Sequence, residues 1–112
     1  MAGAREVADR YFTAINAGDL PLLSSLFVPD AVVLHPSGTY EGVEAIANFY
    51  RDTVIAFQTS LVATAIATEA DLCTVEFEGR SPLGGPEMVV YACDVFRVSP
   101  DGRIISLHIY YR

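Results

Sequence analysis

Residues 59–112, TSLVATAIATEADLCTVEFEGRSPLGGPEMVVYACDVFRVSPDGRIISLHIYYR, decide the fold, because β-branched and aromatic residues recur throughout and only turn-formers interrupt them. Thr59 to Thr68 reads as a strand closed by Glu69-Ala70-Asp71. Leu72 to Arg80, Glu87 to Ser99 and Arg103 to Arg112 read as three more, separated by Pro82-Leu83-Gly84-Gly85-Pro86 and by Pro100-Asp101-Gly102. Four strands joined by short turns predict an antiparallel meander.

Upstream of the meander the periodicity changes. From Ala4 to Ala17 the apolar residues Val7, Ala8, Tyr11, Phe12, Ala14 and Ile15 form a helical stripe, with Arg5, Glu6, Asp9 and Arg10 off it. Gly18 ends that helix. Asp19 can cap a second, whose early Pro21 sits where a missing N–H is tolerated; it is expected to run to about Phe27 and to be closed by Pro29-Asp30. Ala31 to His35 reads as a strand stopped by Pro36-Ser37-Gly38. After Gly42, a third helix is predicted over about Val43 to Phe57, with Val43, Ile46, Ala47, Tyr50, Val54 and Phe57 on its inner side. Helices first and a meander afterwards give an α+β fold, with the helices gathered on one face of a curved sheet.

Composition narrows what such a domain does. The 112 residues suit one compact domain, yet 52% are hydrophobic and only 19% charged, more apolar surface than one small core needs. The surplus implies a lined cavity, a subunit interface, or both. Fourteen acidic side chains against seven Lys and Arg leave a net charge of -7, which argues against nucleic acid and anionic membranes as partners. Met1 to Arg10 is short and polar, and no apolar run approaches the ~20 residues of a membrane span, so the protein is expected in the cytoplasm. Cys73 and Cys93 lack metal-site spacing and read as reduced, buried strand residues. Neither His35 nor His108 has partners at metal-ligand spacing, so no metal is expected. There is no Gly-x-Ser-x-Gly elbow, phosphate-binding glycine loop or dinucleotide fingerprint, which argues against acyl-enzyme and nucleotide chemistry.

Asp94 stands out because stepping by two along its strand gives Met88, Val90, Ala92, Asp94, Phe96 and Val98 on one face. A carboxylate in an apolar row is expensive to bury ionised, so it either pairs with a partner or keeps its proton and donates a hydrogen bond. A buried acid bonded to backbone, or placed at a subunit contact, is the competing reading. Tyr11 lies in the stripe of the first helix with Val7 and Ile15, so its ring points inward and its hydroxyl needs a partner. Beside a protonated acid it would make a pair of donors for an oxyanion; otherwise it is a core aromatic. Tyr50, Tyr110 and Tyr111 could extend that network. His35 shares a strand face with Ala31 and Val33, and its imidazole, with an ordinary pKa near ~6.5, is a competent general base; the alternative is a histidine bonded to backbone or resting at a pocket rim. His108 steps with Ser106 and Tyr110 on a more polar face, which suits a surface or an interface.

Three segments carry a family resemblance: Tyr11-Phe12-Thr13-Ala14-Ile15-Asn16-Ala17-Gly18-Asp19, then Leu26-Phe27-Val28-Pro29-Asp30-Ala31-Val32-Val33-Leu34-His35-Pro36, then Gly42 to Arg51 ending Asn48-Phe49-Tyr50-Arg51. With Asp94-Val95-Phe96-Arg97 and the Gly102-Arg103-Ile104 turn in register, the chain resembles the NTF2-like superfamily, and within it the ketosteroid isomerases and SnoaL-like proteins. That resemblance implies one cone-shaped domain over residues 1–112, three helices packed on a curved, mainly antiparallel sheet. It also implies an enzyme of isomerase or cyclase type that moves a proton next to the carbonyl of a small hydrophobic steroid, phenol or polyketide-like substrate, without metal or organic cofactor. By this likeness Tyr11 and protonated Asp94 are oxyanion donors, and His35 falls where the family's catalytic aspartate stands. Tyr50 matches a supporting tyrosine, Phe27 stands where some members have another, and Val90, Phe96 and Tyr111 complete the expected substrate wall. A binding protein without catalysis and a dimerisation module are the rival readings. A homodimer is expected, because the strand face bearing Val89, Tyr91, Cys93 and Val95 is too apolar for water and must meet a second subunit or the helices.

Overall fold

The computed structural model describes residues 3–84 and 88–112. Helix α1 (Ala4–Ala17) and helix α2 (Leu20–Ser25) lead into strand β1 (Phe27–His35) and strand β2 (Gly38–Glu41). Helix α3 (Val43–Tyr50) follows, and then β3 (Ser60–Glu69), β4 (Leu72–Arg80), β5 (Val89–Val98) and β6 (Ile104–Tyr111). The six strands form one curved sheet in the order β2-β1-β6-β5-β4-β3. Only β1 against β6 is parallel; the other neighbours are antiparallel.

Local chemistry explains most boundaries. Gly18 adopts a left-handed φ of 66° and its N–H returns to the Ile15 carbonyl at 3.0 Å, so α1 closes without strain on a side chain. Asp19 then caps α2, its Oδ1 accepting the Leu22 N–H at 3.0 Å. At the far end of α1 the Asn16 amide donates to the Leu61 carbonyl and accepts the Leu61 N–H, which fastens the helix to the start of β3.

Four expectations need correction. The second helix stops at Ser25 rather than near Phe27, and Pro29-Asp30 lies inside β1 instead of closing the helix. This strand tolerates a proline because its register with β6 jumps from Phe27 to Val32, so Pro29 falls where the ladder needs no N–H from it. Strand β2 was not foreseen: Pro36-Ser37 reads as a stop, but it is the two-residue turn of a hairpin in which His35 pairs with Gly38. Helix α3 gives way to a wider π-type turn over Arg51–Ile55, so the 3.6-residue stripe does not reach Phe57, which is half exposed, while Phe49 is buried. Met88, just before β5, and Val90 on it are exposed, and only Ala92, Asp94, Phe96 and Val98 of the expected row are buried. The expected strand start at Glu87 and the Gly85-Pro86 part of its loop lie outside the described residues.

All three helices lie on one face of the sheet. Val7, Tyr11, Phe12 and Ile15 of α1, with Ile46, Phe49 and Tyr50 of α3, pack against Val75, Phe77, Phe96, Leu107 and Ile109 to form the core. No helix covers the opposite face among the described residues. There Val89, Cys93 and Val95 are half-buried, and Tyr91 and Tyr110 are exposed. Among the described residues no helix is long and apolar enough to cross a membrane.

Candidate active site

Sheet curvature leaves a cavity of about 180 Å³ between the helices and the inner face of the sheet, and Tyr11, His35, Tyr50, Asp94 and Tyr111 all reach its wall. The rest of the lining is largely apolar, including Phe49, Phe77, Val90 and Ile109, and contains no lysine or arginine.

Asp94 is 1% exposed, and neither of its carboxyl oxygens has a hydrogen-bond partner among the described residues. Burial pushes its pKa well above the usual carboxylate range. A neutral acid follows, since nothing in this wall compensates a charge. Its neighbours across the sheet, Val75 on β4 and Ile109 on β6, are apolar. An O–H in that position is a donor aimed at whatever fills the cavity.

In the same cavity wall the hydroxyls of Tyr11 and Tyr50 lie 2.7 Å apart, bonded to each other. Burial raises both phenols well above their ordinary value; for Tyr11 the neighbouring Tyr50 and Asp94 add to this, and for Tyr50 Asp94 does. Both therefore stay protonated. One of the two hydroxyls donates to the other, which leaves one proton free for a ligand oxygen. Phe96 meets the Tyr11 ring edge-on at 5.0 Å, and Phe27 lies 6.1 Å from the Tyr50 ring.

His35 stands at the mouth of the same cavity. Its Nε2 is 2.6 Å from the Tyr111 hydroxyl, and its ring lies 4.9 Å from that of Phe49. Burial lowers its pKa, which favours the neutral imidazole. Nδ1 faces the hairpin turn, where it is 2.8 Å from Ser37 Oγ and accepts the Ser37 backbone N–H at 3.0 Å. A backbone N–H can only donate, so in this arrangement the neutral ring carries its proton on Nε2 and gives it to Tyr111. Tyr111, about half exposed, has its own pKa raised by burial first and by Asp94 second.

The structure thus brings Tyr11, His35, Tyr50, Val90, Asp94 and Tyr111 to one cavity. Phe27 and Phe96 are not on its wall but packed behind the two tyrosines, where they fix the ring positions. Phe49 was missed as a wall residue, although its three-residue step from Ile46 marks the same helix face. Ser37 and Tyr40, hydrogen bonded to each other at 2.8 Å beside His35, had no sequence signal, because the hairpin that holds them was not recognised. His108 lies on the uncovered face, stacked on Tyr110 at 4.1 Å, as its surface or interface reading required.

Comparison with known proteins gives a family and a fold. The SnoaL-like domain family model matches residues 8–107. A candidate polyketide cyclase from Sinorhizobium meliloti superposes with a TM-score of 0.81 at 27% identity, covering 92% of each chain. A candidate ketosteroid isomerase from Kribbella flavida superposes at 0.84 with 14% identity, over 97% of this chain and 77% of that one. A computationally designed 17-OHP binder does so at 0.82 with 15% identity, over 97% of this chain and 90% of that one. One cone therefore carries cyclase, isomerase and binding descriptions, and the side chains in the cavity must discriminate among them.

Proposed function

The chain belongs to the SnoaL-like domain family, of NTF2-like fold, and from that premise we propose that it catalyses proton transfer next to the carbonyl of a small hydrophobic substrate, as an isomerase or cyclase does. The observation that carries this reading is the partnerless, buried carboxyl of Asp94 in the same cavity wall as the Tyr11–Tyr50 pair. Leaving a buried acid unsatisfied costs ~1–3 kcal/mol, a cost that a ligand oxygen would relieve.

In the reaction, His35 removes the proton from the carbon next to the carbonyl. The C–H electron pair becomes the new C=C bond of the enolate, and the carbonyl π pair moves to oxygen. Tyr11 and protonated Asp94 donate to that oxygen, and stabilisation of this kind is worth roughly 2.7–4 kcal/mol per donor. Return of the proton from His35 to another carbon completes an isomerisation. The sequence is redox-neutral and requires no metal or organic cofactor.

Size favours the smaller members of the expected substrate class. A cavity of about 180 Å³ is little larger than the ~150 Å³ that accommodates benzene, so one ring fits between Asp94 and the mouth while a larger substrate extends past Tyr111 and Val90. The free thiols Cys73 and Cys93 fit a reducing cytoplasm. The chain works as a homodimer through the uncovered sheet face.

Ligand binding without turnover is the second reading, and the proton on His35 Nε2 favours it, since that nitrogen then offers the cavity a donor and not a lone pair. Conversion of cyclohex-3-enone to its conjugated isomer, followed by ultraviolet absorbance, separates the two. Turnover that His35→Ala abolishes, with affinity for 4-nitrophenol retained, supports the enzyme. Tight 4-nitrophenol binding with no turnover of any carbon acid supports the binding protein.

A further inference from the structure

We propose that Ser37 is the positioning residue that decides which nitrogen of His35 carries the proton, and so whether the cavity contains a base. The inference rests on the reading of His35 as the proton acceptor. It starts from a conflict of donors. Ser37 offers Nδ1 two groups, a backbone N–H at 3.0 Å that can only donate and a hydroxyl at 2.8 Å that can either donate or accept. While the N–H holds Nδ1, the neutral ring keeps its proton on Nε2, bonded to Tyr111 at 2.6 Å, and has no lone pair toward the cavity.

The second arrangement uses the same atoms. With the proton on Nδ1, the ring donates to Ser37 Oγ, and that hydroxyl donates onward to Tyr40, 2.8 Å away. The Ser37 N–H, on an exposed turn, turns to water at little cost. Nε2 then has a free lone pair, which accepts from Tyr111 until a substrate C–H displaces that hydroxyl. When Nε2 takes the substrate proton, the imidazolium is held by Ser37 Oγ, and the same proton returns to carbon from Nε2. The partner on the far nitrogen fixes the tautomer of the near one. The hairpin turn supplies that partner because Pro36-Ser37 folds directly back over the ring of His35.

Ser37→Ala keeps the backbone N–H and removes the side-chain hydroxyl that accepts an Nδ1 proton in the turn. The side chain is exposed, so the variant should fold as the parent does. Two readouts are expected to move together. In ¹⁵N NMR, Nδ1 of His35 should lie between the protonated and unprotonated limits in the parent, where both tautomers exchange, and at the unprotonated limit in Ser37→Ala. With cyclohex-3-enone, kcat should fall by ~10²-fold, the lower end of what a general base contributes, with 4-nitrophenol affinity within about twofold of the parent. Ser37→Thr, which restores a hydroxyl, should recover both. The inference is overturned if Ser37→Ala leaves the Nδ1 shift unchanged, or changes the shift with no effect on kcat. If the shift moves but no carbon acid is ever turned over, Ser37 still sets the tautomer, and it is the catalytic reading of His35 that falls.

Discussion

Tyr11 and Tyr50, thirty-nine residues apart in the chain, place their hydroxyl oxygens 2.7 Å from each other at full burial, in a wall that also holds an aspartic acid whose pKa burial raises well above the usual carboxylate range. Each phenol is the other's only hydrogen-bond partner among the described residues, so each substitution strands the remaining hydroxyl. Tyr11→Phe and Tyr50→Phe should each cost ~1–3 kcal/mol of stability, the usual penalty for an unsatisfied buried group. The double variant, which leaves nothing stranded, should be more stable than the sum of the two singles implies. Urea melts of the four proteins measure this coupling, and strict additivity would mean that the bond contributes nothing.

Asp94 gives a pH dependence whose sign is fixed by its burial. Its folded pKa is raised above the unfolded value near ~3.9, so the folded state holds a proton that the unfolded chain loses first. The stabilisation is complete below the unfolded pKa and is lost as pH rises toward the folded one. His35 contributes with the opposite sign: its folded pKa is lowered, so its share is present above ~6.5 and is lost as pH falls through the folded value. Subtracting the melting temperatures of Asp94→Asn from those of the parent isolates the carboxyl, and the parent should lose ground steadily from about pH 4 toward neutrality. A flat difference across that range would show an acid of ordinary pKa and remove it as a donor.

The two halves of the molecule were not equally legible. Period-2 alternation marked β4 to β6 because each has one face against helices, and the same alternation singled out Asp94 as an acid in an apolar row, whereas β3 was marked by its β-branched residues and is exposed along most of its length. The α1 stripe placed Tyr11 inward for the same reason. Elements set by longer-range geometry were not visible. β2 is only four residues long and is a strand because β1 pairs with it, and Pro29 passes in a strand only because the β1–β6 register jumps there. Which nitrogen of His35 holds the proton depends on the Ser37 N–H folding back across a two-residue turn, a contact that no periodicity encodes.

The uncovered sheet face predicts an assembly. Val95 lies between Thr74 on β4 and His108 on β6, on the side away from all three helices, with Cys93, Tyr91 and Tyr110 around it. The β5 row Val89, Tyr91, Cys93 and Val95 that crosses this face is of the kind normally covered. Sedimentation at micromolar concentration should give twice the 12.1 kDa chain mass, and Val95→Lys should shift the species to monomer while leaving 4-nitrophenol binding intact. A parent that sediments only as monomer would contradict the homodimer.

The sharpest test concerns the group at position 35. Only the neutral imidazole accepts a proton, so kcat/KM on cyclohex-3-enone should rise with pH through the His35 pKa and level off above it. That pKa is lowered by burial, which puts the limb below ~6.5 and leaves full activity at neutrality. The groups that face the ring do not confuse the assignment: Ser37 and Phe49 do not titrate, Tyr111 is a phenol pushed up by burial, and Tyr40 hydrogen bonds to Ser37 and packs on Phe49. Asp94, on the same cavity, has its pKa raised by burial above the usual carboxylate range; its ionisation would remove an oxyanion donor, so it depresses activity as pH rises and gives the opposite slope. His35→Ala should lose ~10²–10⁴-fold in kcat. His35→Asp replaces the ring by a carboxylate that needs no tautomer, so its activity should no longer depend on Ser37. Turnover in His35→Asp that is insensitive to Ser37→Ala, set against a parent that is sensitive to it, would place the base at position 35. Inactivity of both parent and His35→Asp, with phenols still bound, would leave the cavity as a binding site alone.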